Sequence, residues 1–389
     1  MGNRFSFTFH ACLGKGGFAE VYLATQNRPG GLARRVAVKV LKVDLEEDGQ
    51  AVLRLSDEGR MLAALQHPCI LAVRELTRID GRLALVTEYV EGIDISVCTR
   101  PDSLLPSRAV VGIVGELAGA LDCAWNTLSP ETGQPLHLVH RDIKPENVRL
   151  SRHGEVKLLD FGIARTTQLY RNADTAVGDM PFTPGYAAPE SYTKGEQTER
   201  SDIYALGVTL YRLLVGERLF QGIALQQQFQ VTASAERYEP FILERLERIS
   251  AASDVKDLLR DLLAYEAPSR PTAAEVQARC DRIADTIPGP THARWARAQH
   301  HHGPRNVGGS LVGRTVNEDE ANRVQLDSRD LFEDLGTPLP AHPNAAPSPK
   351  ATGVTATALG QAALFFVAIA LLAGAVVTLA VVMLALVLA

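Results

Sequence analysis

Apolar and polar residues follow a strand-like pattern near the start of the chain. Alternation and short β-branched runs predict β-strands over residues 6–13, 20–24, 35–41 and 83–89. Between the last two of these strands, residues 53–65 carry apolar side chains at helical spacing and predict a helix. The pattern therefore indicates a small, β-rich lobe that contains one helix.

Helical spacing dominates the part of the chain that follows. Helices are predicted over residues 106–126, 199–215, 253–263 and 272–284. The last helix opens with Thr272 and has Glu275 three residues later, which is the pattern of a capping box. This order of elements favours a strand-rich lobe followed by a larger helical lobe, rather than a doubly wound sheet.

The folded part is expected to span residues 4–285, and two different segments follow it. Periodicity is lost over residues 286–358, where prolines recur, so we expect a flexible linker there. Residues 359–389 are apolar and uncharged, with Gln361 as their most polar side chain. This length suits one transmembrane helix.

The position of the basic residues predicts the orientation of that helix. All of them precede it, and Lys350 is the last. Because basic residues are enriched on the cytoplasmic side of a span, we expect a single-pass, C-terminal tail anchor in the cell membrane with a cytoplasmic folded part. Ala370, Gly374 and Thr378 form a row of small residues that fits a homodimer face, although such a row also arises readily in an alanine-rich helix.

Composition limits the function classes without choosing one. The net charge of −5 argues against a nucleic-acid partner that is bound through a basic face. The five cysteines include no C-x-x-C pair, which favours reduced thiols over a disulfide framework or a zinc site. A hydrophobic content of 46% excludes a wholly disordered chain.

Candidate chemistry starts between the first two predicted strands. A glycine-rich loop lies there and contains Gly14, Gly16 and Gly17. Such a loop brings backbone N–H groups close to phosphate oxygens, but an ordinary hairpin can carry the same pattern. Lys39 ends the β-branched run of the third strand, where a buried lysine needs anionic partners. Glu58 is the best carboxylate candidate, and Asp57 is its rival about 100° around the helix.

Carboxylate and amide side chains recur later in the chain. Asp142 and Asn147 flank Pro145, which blocks a regular helix. One of the two can orient a hydroxyl nucleophile while the other holds a metal. Asp160 follows, beside the flexible Gly162. Oxygen ligands from Asn147 and Asp160 suit a hard cation such as Mg²⁺ that bridges phosphates.

In this order, the motifs resemble those of the eukaryotic-like protein kinases, and most of all the membrane-attached bacterial serine/threonine kinases. The resemblance covers about residues 4–285. It rests on the glycine-rich loop, the strand lysine, HRDIKPEN at 140–147, DFG at 160–162 and APE at 188–190. It implies an α+β, bilobal fold with a small antiparallel β-rich lobe plus one helix and a larger helical lobe.

The resemblance also implies an activity and its cofactors. The activity is transfer of the γ-phosphoryl group of ATP to serine and threonine hydroxyls of proteins, with autophosphorylation, in membrane-associated signalling. The cofactors are ATP and Mg²⁺, for which Mn²⁺ can substitute. The expected partners are ATP, protein substrates and the membrane, and no nucleic acid.

Each motif residue receives a role from the resemblance. Lys39 would hold the α- and β-phosphates and pair with Glu58. Lys144 would steady the γ-phosphate, and Asp142 would accept or orient the proton of the substrate hydroxyl. Asn147 and Asp160 would ligate magnesium. The implied ATP-binding residues are Leu13, Gly14, Gly16, Gly17, Val21, Ala37, Lys39, Thr87 as gatekeeper, Glu88, Tyr89 and Val90 as hinge, and Asp94 at the ribose.

Further roles are structural and regulatory. Glu190 would pair with Arg270, and Asp202 would anchor the catalytic loop. The candidate phosphorylation sites are Thr166, Thr167 and Thr175, whose phosphate would pair with Arg141 and order the activation segment. Lys144 together with Thr183 matches the serine/threonine pattern rather than the tyrosine pattern.

Two residues depart from the family pattern. Ala19 replaces the third glycine of the loop, which is a small change. Arg149 stands where an apolar side chain usually forms the floor of the adenine pocket. Its alkyl stem can pack there while the guanidinium reaches water or an acidic neighbour.

Two other functions fit the same fold, a non-catalytic signalling scaffold and a kinase of small molecules. The presence of Lys39, Asp142, Asn147 and Asp160 argues against the scaffold. The threonine-rich activation segment and the complete APE motif favour protein substrates.

Overall fold

The strands near the start of the chain form one antiparallel sheet, which we call the small-lobe sheet. The structure is a computed structural model. Five strands of this sheet come from the start of the chain, β1 (Ser6–Lys15), β2 (Ala19–Asn27), β3 (Ala33–Leu41), β4 (Val73–Ile79) and β5 (Arg82–Glu88), and the sixth is β9 (Thr315–Asn317). The spatial order is β4-β5-β3-β2-β1-β9. Helix α1 (Gly49–Ala64) packs on the inner face of this sheet. Apolar residues at alternate strand positions can therefore be buried on both faces.

Alternation along β3 divides its side chains between the two faces. Val36, Val38 and Val40 lie on the outer face and are fully buried. Ala37 and Lys39 point the other way, towards α1 and the cleft below the sheet. The period of two along a strand thus places an ionisable side chain in the cleft and apolar side chains in the opposite core.

The outer face is covered by a C-terminal segment, residues 303–317. Leu311 of this segment is completely buried and belongs to the same apolar cluster as Phe9 and Tyr22. The Gly313 N–H donates to the Phe9 carbonyl oxygen at 2.9 Å, and the Phe9 N–H donates to the Arg314 carbonyl oxygen at 3.0 Å. The segment then ends in β9, which pairs with β1 at the edge of the sheet.

The large lobe is mostly helical. Its helices are α2 (Ser107–Asn126), α3 (Pro189–Thr193), α4 (Glu199–Val215), α5 (Leu225–Thr232), α6 (Ala235–Glu247), α7 (Ser253–Leu262), α8 (Ala273–Thr286) and α9 (His292–Arg297). A small second sheet has the order β6 (Gly92–Asp94), β7 (Val148–Ser151) and β8 (Val156–Leu158). Its strands lie directly below the cleft.

Glycines on α2 allow neighbouring helices to pack closely. A Cβ atom at Gly115 would lie 2.9 Å from the Cβ atom of Cys280 on α8. At Gly112 it would lie 2.8 Å from Nδ1 of His292 on α9. The absence of a side chain at these two positions therefore allows the helices to pack this closely.

The structure describes residues 6–28, 30–45, 49–100, 102–129, 132–161, 182–193, 197–299 and 303–317. All of them belong to one compact unit, residues 1–336. Among them, α2 is long and apolar enough to cross a membrane, and 67% of its apolar window is buried in the domain. The transmembrane helix expected at 359–389 and most of the expected linker lie outside the described residues.

The bilobal α+β fold is confirmed in its folded part. The predicted helix at 199–215 coincides with α4, and the capping box is present, with Thr272 N–H donating to Glu275 at 2.8 Å and Glu275 N–H to Thr272 at 3.2 Å. The start of the expected linker differs from the structure, because described residues of 286–317 pack on both lobes. Proline and glycine interrupt periodicity there, but Ala296 and Leu311 are buried.

Candidate active site

A cleft of about 270 Å³ lies between the small-lobe sheet and the large lobe. Its lining includes the sequence-predicted residues Leu13, Gly14, Val21, Ala37, Lys39, Glu58, Thr87, Glu88, Tyr89, Val90, Asp94, Arg149 and Asp160. Apolar walls with a few polar groups at one end are typical of a site for a small molecule. The predicted pocket residues are thus brought together from both lobes.

Two of the predicted ATP-binding residues do not line the cleft, and five of the described lining residues were not predicted. Gly16 and Gly17 are absent from the described lining and form the turn between β1 and β2, where the Gly16 N–H donates to the Ala19 carbonyl oxygen at 2.8 Å. Lining residues that the sequence analysis did not name are Leu62, Leu71, Leu85, Leu159 and Glu146. The leucines look like any core residue in the sequence, so no local pattern marks them as part of the cleft.

Lys39 lies at the centre of an ionic cluster at the inner end of the cleft. Its Nζ atom is 2.7 and 2.8 Å from the two carboxylate oxygens of Glu58 and 2.9 Å from Oδ1 of Asp160. Burial favours the neutral amine, but the charges of Asp160 and Glu58 outweigh it and raise the pKa of Lys39. The charge of Lys39 in turn lowers the pKa of Asp160. Glu58, rather than Asp57, is the partner on α1.

Asp142 lies at the centre of a second network, on the loop before β7. Its carboxylate accepts hydrogen bonds from Lys144 Nζ at 2.7 Å, Asn147 Nδ2 at 2.9 Å and Thr183 Oγ1 at 2.6 Å. Lys144 also donates to Thr183 Oγ1 at 3.1 Å. The Asp142 carboxylate thus lies within hydrogen-bond distance of an alcohol hydroxyl group, as a general base for such a group must.

Asp202, on α4, holds the loop that carries Asp142. Its two carboxylate oxygens accept the backbone N–H groups of His140 at 2.6 Å and Arg141 at 2.8 Å. Burial raises the pKa of Asp202 to about 7, although both hydrogen bonds favour the carboxylate. The same residue therefore fixes two successive backbone groups just before Asp142.

His140 is a buried histidine that also supports the loop. Burial lowers its pKa to about 4, so its ring is neutral near pH 7. Nδ1 accepts the backbone N–H of Asp142 at 3.3 Å, and Nε2 lies 3.1 Å from the carbonyl oxygen of Leu159. These two contacts assign the proton to Nε2. The ring thus joins the loop of Asp142 to the strand end before Asp160.

Two residues of the site have an unusual backbone. Arg141 has φ 66° and Asp160 has φ 45°, in the left-handed region that non-glycine residues rarely adopt. Asp202 holds the Arg141 N–H, and Lys39 holds the Asp160 carboxylate. Such strain persists where the surroundings fix it, which is common at functional sites.

Glu190 and Arg270 form a buried bidentate ion pair. Nη1 and Nη2 of Arg270 lie 2.7 and 2.8 Å from the two carboxylate oxygens of Glu190. The Arg270 side chain is completely buried and also donates to the Ala264 and Tyr265 carbonyl oxygens. Burial opposes ionisation of Glu190, but Arg270 keeps its pKa below the ordinary value. The pair ties α3 to the loop before α8.

The oxygen donors of the site fit a magnesium ion that also binds phosphates. Asn147 donates from Nδ2 to the Asp142 carbonyl and carboxylate oxygens, which leaves its Oδ1 as a ligand atom. Asp160 supplies a carboxylate that lines the cleft, and the N–H of the preceding residue, Leu159, donates to the Asn147 carbonyl oxygen at 2.8 Å. No group of three or more His, Cys, Asp or Glu side chains within the described ranges could hold a metal. Two oxygen ligands are sufficient where phosphates complete the coordination.

Comparison with known proteins agrees with this geometry. A family model described as the protein kinase domain matches residues 7–279. The chain belongs to the protein kinase family. ATP and Mg²⁺ are the phosphoryl donor and the metal of this family, and the cleft and its oxygen ligands fit both.

Relatives of this kinase come from several bacteria. It is 33% identical to Serine/threonine-protein kinase PrkC of Bacillus subtilis over 250 residues, 63% of this chain and 36% of the relative. It is 31% identical to Serine/threonine-protein kinase PknB of Mycobacterium tuberculosis over 331 residues, 84% and 50% of the two chains. It is 36% identical to Tyrosine-protein kinase MasK of Myxococcus xanthus over 212 residues, 54% and 32%. The kinase spans about a third to a half of the length of these relatives.

The candidate phosphorylation sites are threonines between Asp160 and Glu190. Thr166, Thr167 and Thr175 lie outside the described residues. Arg141, their expected partner, is described on the catalytic loop.

Proposed function

We propose that the chain is an ATP-dependent serine/threonine protein kinase that transfers the γ-phosphoryl group of ATP to hydroxyl groups of proteins. One observation carries the proposal. Asp142 receives an alcohol hydrogen bond from Thr183 and an ion pair from Lys144, next to the cluster of Lys39 and Asp160. The site thus offers a proton acceptor for an alcohol and two cations for phosphates.

In the proposed reaction the side chains orient and neutralise. Asp142 accepts the proton of the acceptor hydroxyl group. At the same time the oxygen of that hydroxyl group bonds to the γ-phosphorus, and the bond between the γ-phosphorus and the oxygen that stays on ADP breaks. Lys144, which donates to Asp142, would offset the negative charge of the transferred group. Lys39, positioned by Glu58, holds the phosphates that remain on ADP. Asn147 and Asp160 would hold Mg²⁺, which would supply positive charge that neutralises the phosphates.

The test of this proposal is the Asp142→Asn substitution. The amide cannot accept the proton, so we expect phosphate transfer from radiolabelled ATP to fall about 10²–10⁴-fold. Binding of Mg²⁺-ATP should persist, because Asp142 is not part of the cleft lining. The control is Asp257→Asn on α7, whose carboxylate is exposed and pairs with Arg260. Equal labelling of wild type and Asp142→Asn would contradict the proposal. No labelling by wild type would also contradict it and would favour a non-catalytic scaffold.

The type of hydroxyl is a separate question, because one relative is named as a tyrosine kinase. Lys144 and Thr183, which lie 3.1 Å apart, support serine and threonine as acceptors. Phosphoamino-acid analysis of the labelled protein is expected to give phosphothreonine and phosphoserine. Phosphotyrosine as the main product would reverse this assignment.

Autophosphorylation is proposed at one or more of Thr166, Thr167 and Thr175, from the sequence pattern alone. A phosphate there would pair with Arg141 and order the activation segment. Mass spectrometry of wild type after incubation with ATP is expected to find these threonines modified, and to find them unmodified in Asp142→Asn. A fully active protein with an unmodified segment would contradict the proposal.

Membrane attachment is proposed from the sequence of residues 359–389. The uncharged, apolar composition of this stretch supports one span, and Lys350 before it supports a cytoplasmic kinase domain. The row of Ala370, Gly374 and Thr378 supports a dimer of such helices. The proposed domain order is a kinase domain from residue 4, followed by a linker and this span.

A further inference from the structure

Arg149 stands in the floor of the cleft, at a position where an aliphatic side chain is expected. It lies on β7 and lines the cleft, and only 19% of its side chain is exposed. A charged group that is mostly buried needs partners to offset its loss of hydration. The partners of Arg149 therefore indicate what the residue does.

The guanidinium group of Arg149 makes one hydrogen bond with each of its three nitrogen atoms. Nε donates to the carbonyl oxygen of Val90 at 2.7 Å, and Nη2 donates to the carbonyl oxygen of Gly92 at 2.9 Å. Nη1 lies 2.7 Å from Oδ1 of Asp94. All three acceptors belong to the short stretch that leads from β5 through the hinge into β6.

The two sheets explain why this fork can form. Asp94 and Arg149 are directly opposite each other in the β6–β7 ladder. The strands approach closely because residue 92 is a glycine, where a Cβ atom would lie 2.0 Å from the carbonyl oxygen of Leu150. Cross-strand neighbours with opposite charges stabilise each other.

Lys157 is opposite Arg149 on the other side, in the β7–β8 ladder. Its Nζ atom lies 2.7 Å from Oε1 of Glu88, the hinge residue before the fork. The two cations thus have different partners. Lys157 offsets Glu88, and Asp94 offsets Arg149. Among the described side chains, Asp94 has no ion pair apart from the one with Arg149.

The Asp94 carboxylate is 47% exposed and lines the cleft, so its second oxygen can accept hydrogen bonds from a ligand. A free aspartate on a short strand would lose side-chain entropy on binding a pair of hydroxyl groups. The rigid fork of an arginine holds the carboxylate, and the Val90 backbone beside it, before a ligand arrives.

We propose that Arg149 is a positioning residue that makes the cleft selective for ribonucleotides over 2′-deoxyribonucleotides. It acts by fixing the Asp94 carboxylate for the vicinal hydroxyl groups of ribose. The inference rests on the proposed function, because it requires a nucleotide in the cleft.

The test compares the dissociation constants of Mg²⁺-ATP and Mg²⁺-2′-deoxy-ATP by calorimetry, with the full chain. Wild type is expected to prefer ATP, and Arg149→Leu is expected to bind ATP about five- to tenfold more weakly, in line with the loss of a charge-assisted bond. Binding of 2′-deoxy-ATP should change about twofold at most, so the preference for ribose falls. Arg149→Lys keeps the charge without the fork and should remain weakened.

A double-mutant cycle tests whether Arg149 acts through Asp94. Asp94→Asn alone should remove the preference for ATP, and Arg149→Leu combined with Asp94→Asn should bind ATP within about twofold of Asp94→Asn alone. In transfer assays, Arg149→Leu should raise KM for ATP and leave kcat within about twofold, because its described hydrogen bonds are to hinge and β6 groups and none is to Asp142 or Lys144.

The matched control is Arg152→Leu, which removes an exposed arginine that pairs with Glu91 at 3.6 Å. It should leave both dissociation constants unchanged. Thermal unfolding without nucleotide identifies any variant that fails to fold. An unchanged preference for ribose in Arg149→Leu, additive effects in the cycle, or full recovery by Arg149→Lys would overturn the inference while leaving the kinase activity intact. Failure of wild type to bind either nucleotide would instead overturn the proposed function.

Discussion

Single residues of the site act through contacts that their sequence neighbours do not supply. Lys39 meets Glu58 and Asp160, and Asp142 meets Thr183, across large sequence distances. The types of these residues and their spacing could be predicted, because phosphate chemistry needs cations, a proton acceptor and oxygen ligands. For Arg149 the sequence predicts water or an acidic neighbour, but it does not identify Asp94 or the two carbonyl acceptors, because these contacts depend on how the strands pair.

The buried ring of His140 is expected to make the free energy of unfolding depend on pH. Burial lowers the pKa of this ring to about 4, below the ordinary value near 6.5 of an unfolded chain. Between these values the unfolded chain binds a proton that the folded one does not. The stabilising contribution is therefore present above about pH 6.5 and is lost as the pH falls towards 4.

Urea unfolding from pH 7.5 to 4.5 measures this contribution. The free energy of unfolding of wild type should fall more steeply with acidification than that of His140→Asn, whose side chain does not titrate. The control, His153→Gln, changes an exposed histidine and should keep the slope of wild type. Parallel curves for wild type and His140→Asn would show that the ring is not held neutral.

At the scale of elements, the C-terminal segment 303–317 completes the small lobe. It supplies Leu311 to the outer core and β9 to the edge of the sheet, where an unpaired β1 would otherwise present free N–H and C=O groups. Prolines and glycines hide this role in the sequence, since the segment has neither helical nor strand period. Element positions such as α4 were predictable because their period is local.

Leu311→Ala tests the role of the segment. The leucine is completely buried, so its truncation should lower the free energy of unfolding by about 2–4 kcal/mol. Leu32→Ala is the matched control, because that leucine is 70% exposed in the turn between β2 and β3. Thermal or urea unfolding compares the two variants, and equal stability of both would mean that the segment does not form part of the core.

At the scale of the whole molecule, one compact catalytic unit is combined with an uncharged C-terminal stretch. The kinase family match ends at residue 279, and the folded unit continues to β9, which pairs with β1. The proposed span at 359–389 would keep the catalytic unit near a membrane, which raises the local concentration of substrates held there.

Removal of residues 351–389 tests this arrangement. The shortened chain should appear in the soluble fraction and retain its phosphate transfer, while the full chain should resist extraction from membranes by alkaline carbonate. A full chain that is soluble without detergent would contradict the proposed span. The catalytic unit is unaffected in either case, because the described site lies entirely before residue 318.

The candidate chemistry and the order of the elements could be predicted from local sequence patterns. Motif residues such as Asp142 and Asp160 and the periods of strands and helices are local properties, and local patterns are readable without a structure. The contacts between residues that are distant in the sequence became visible only in the folded protein. It placed Arg149 under the hinge and Leu311 in the small-lobe core. Such contacts depend on how distant segments pack, and packing is set by the whole chain at once.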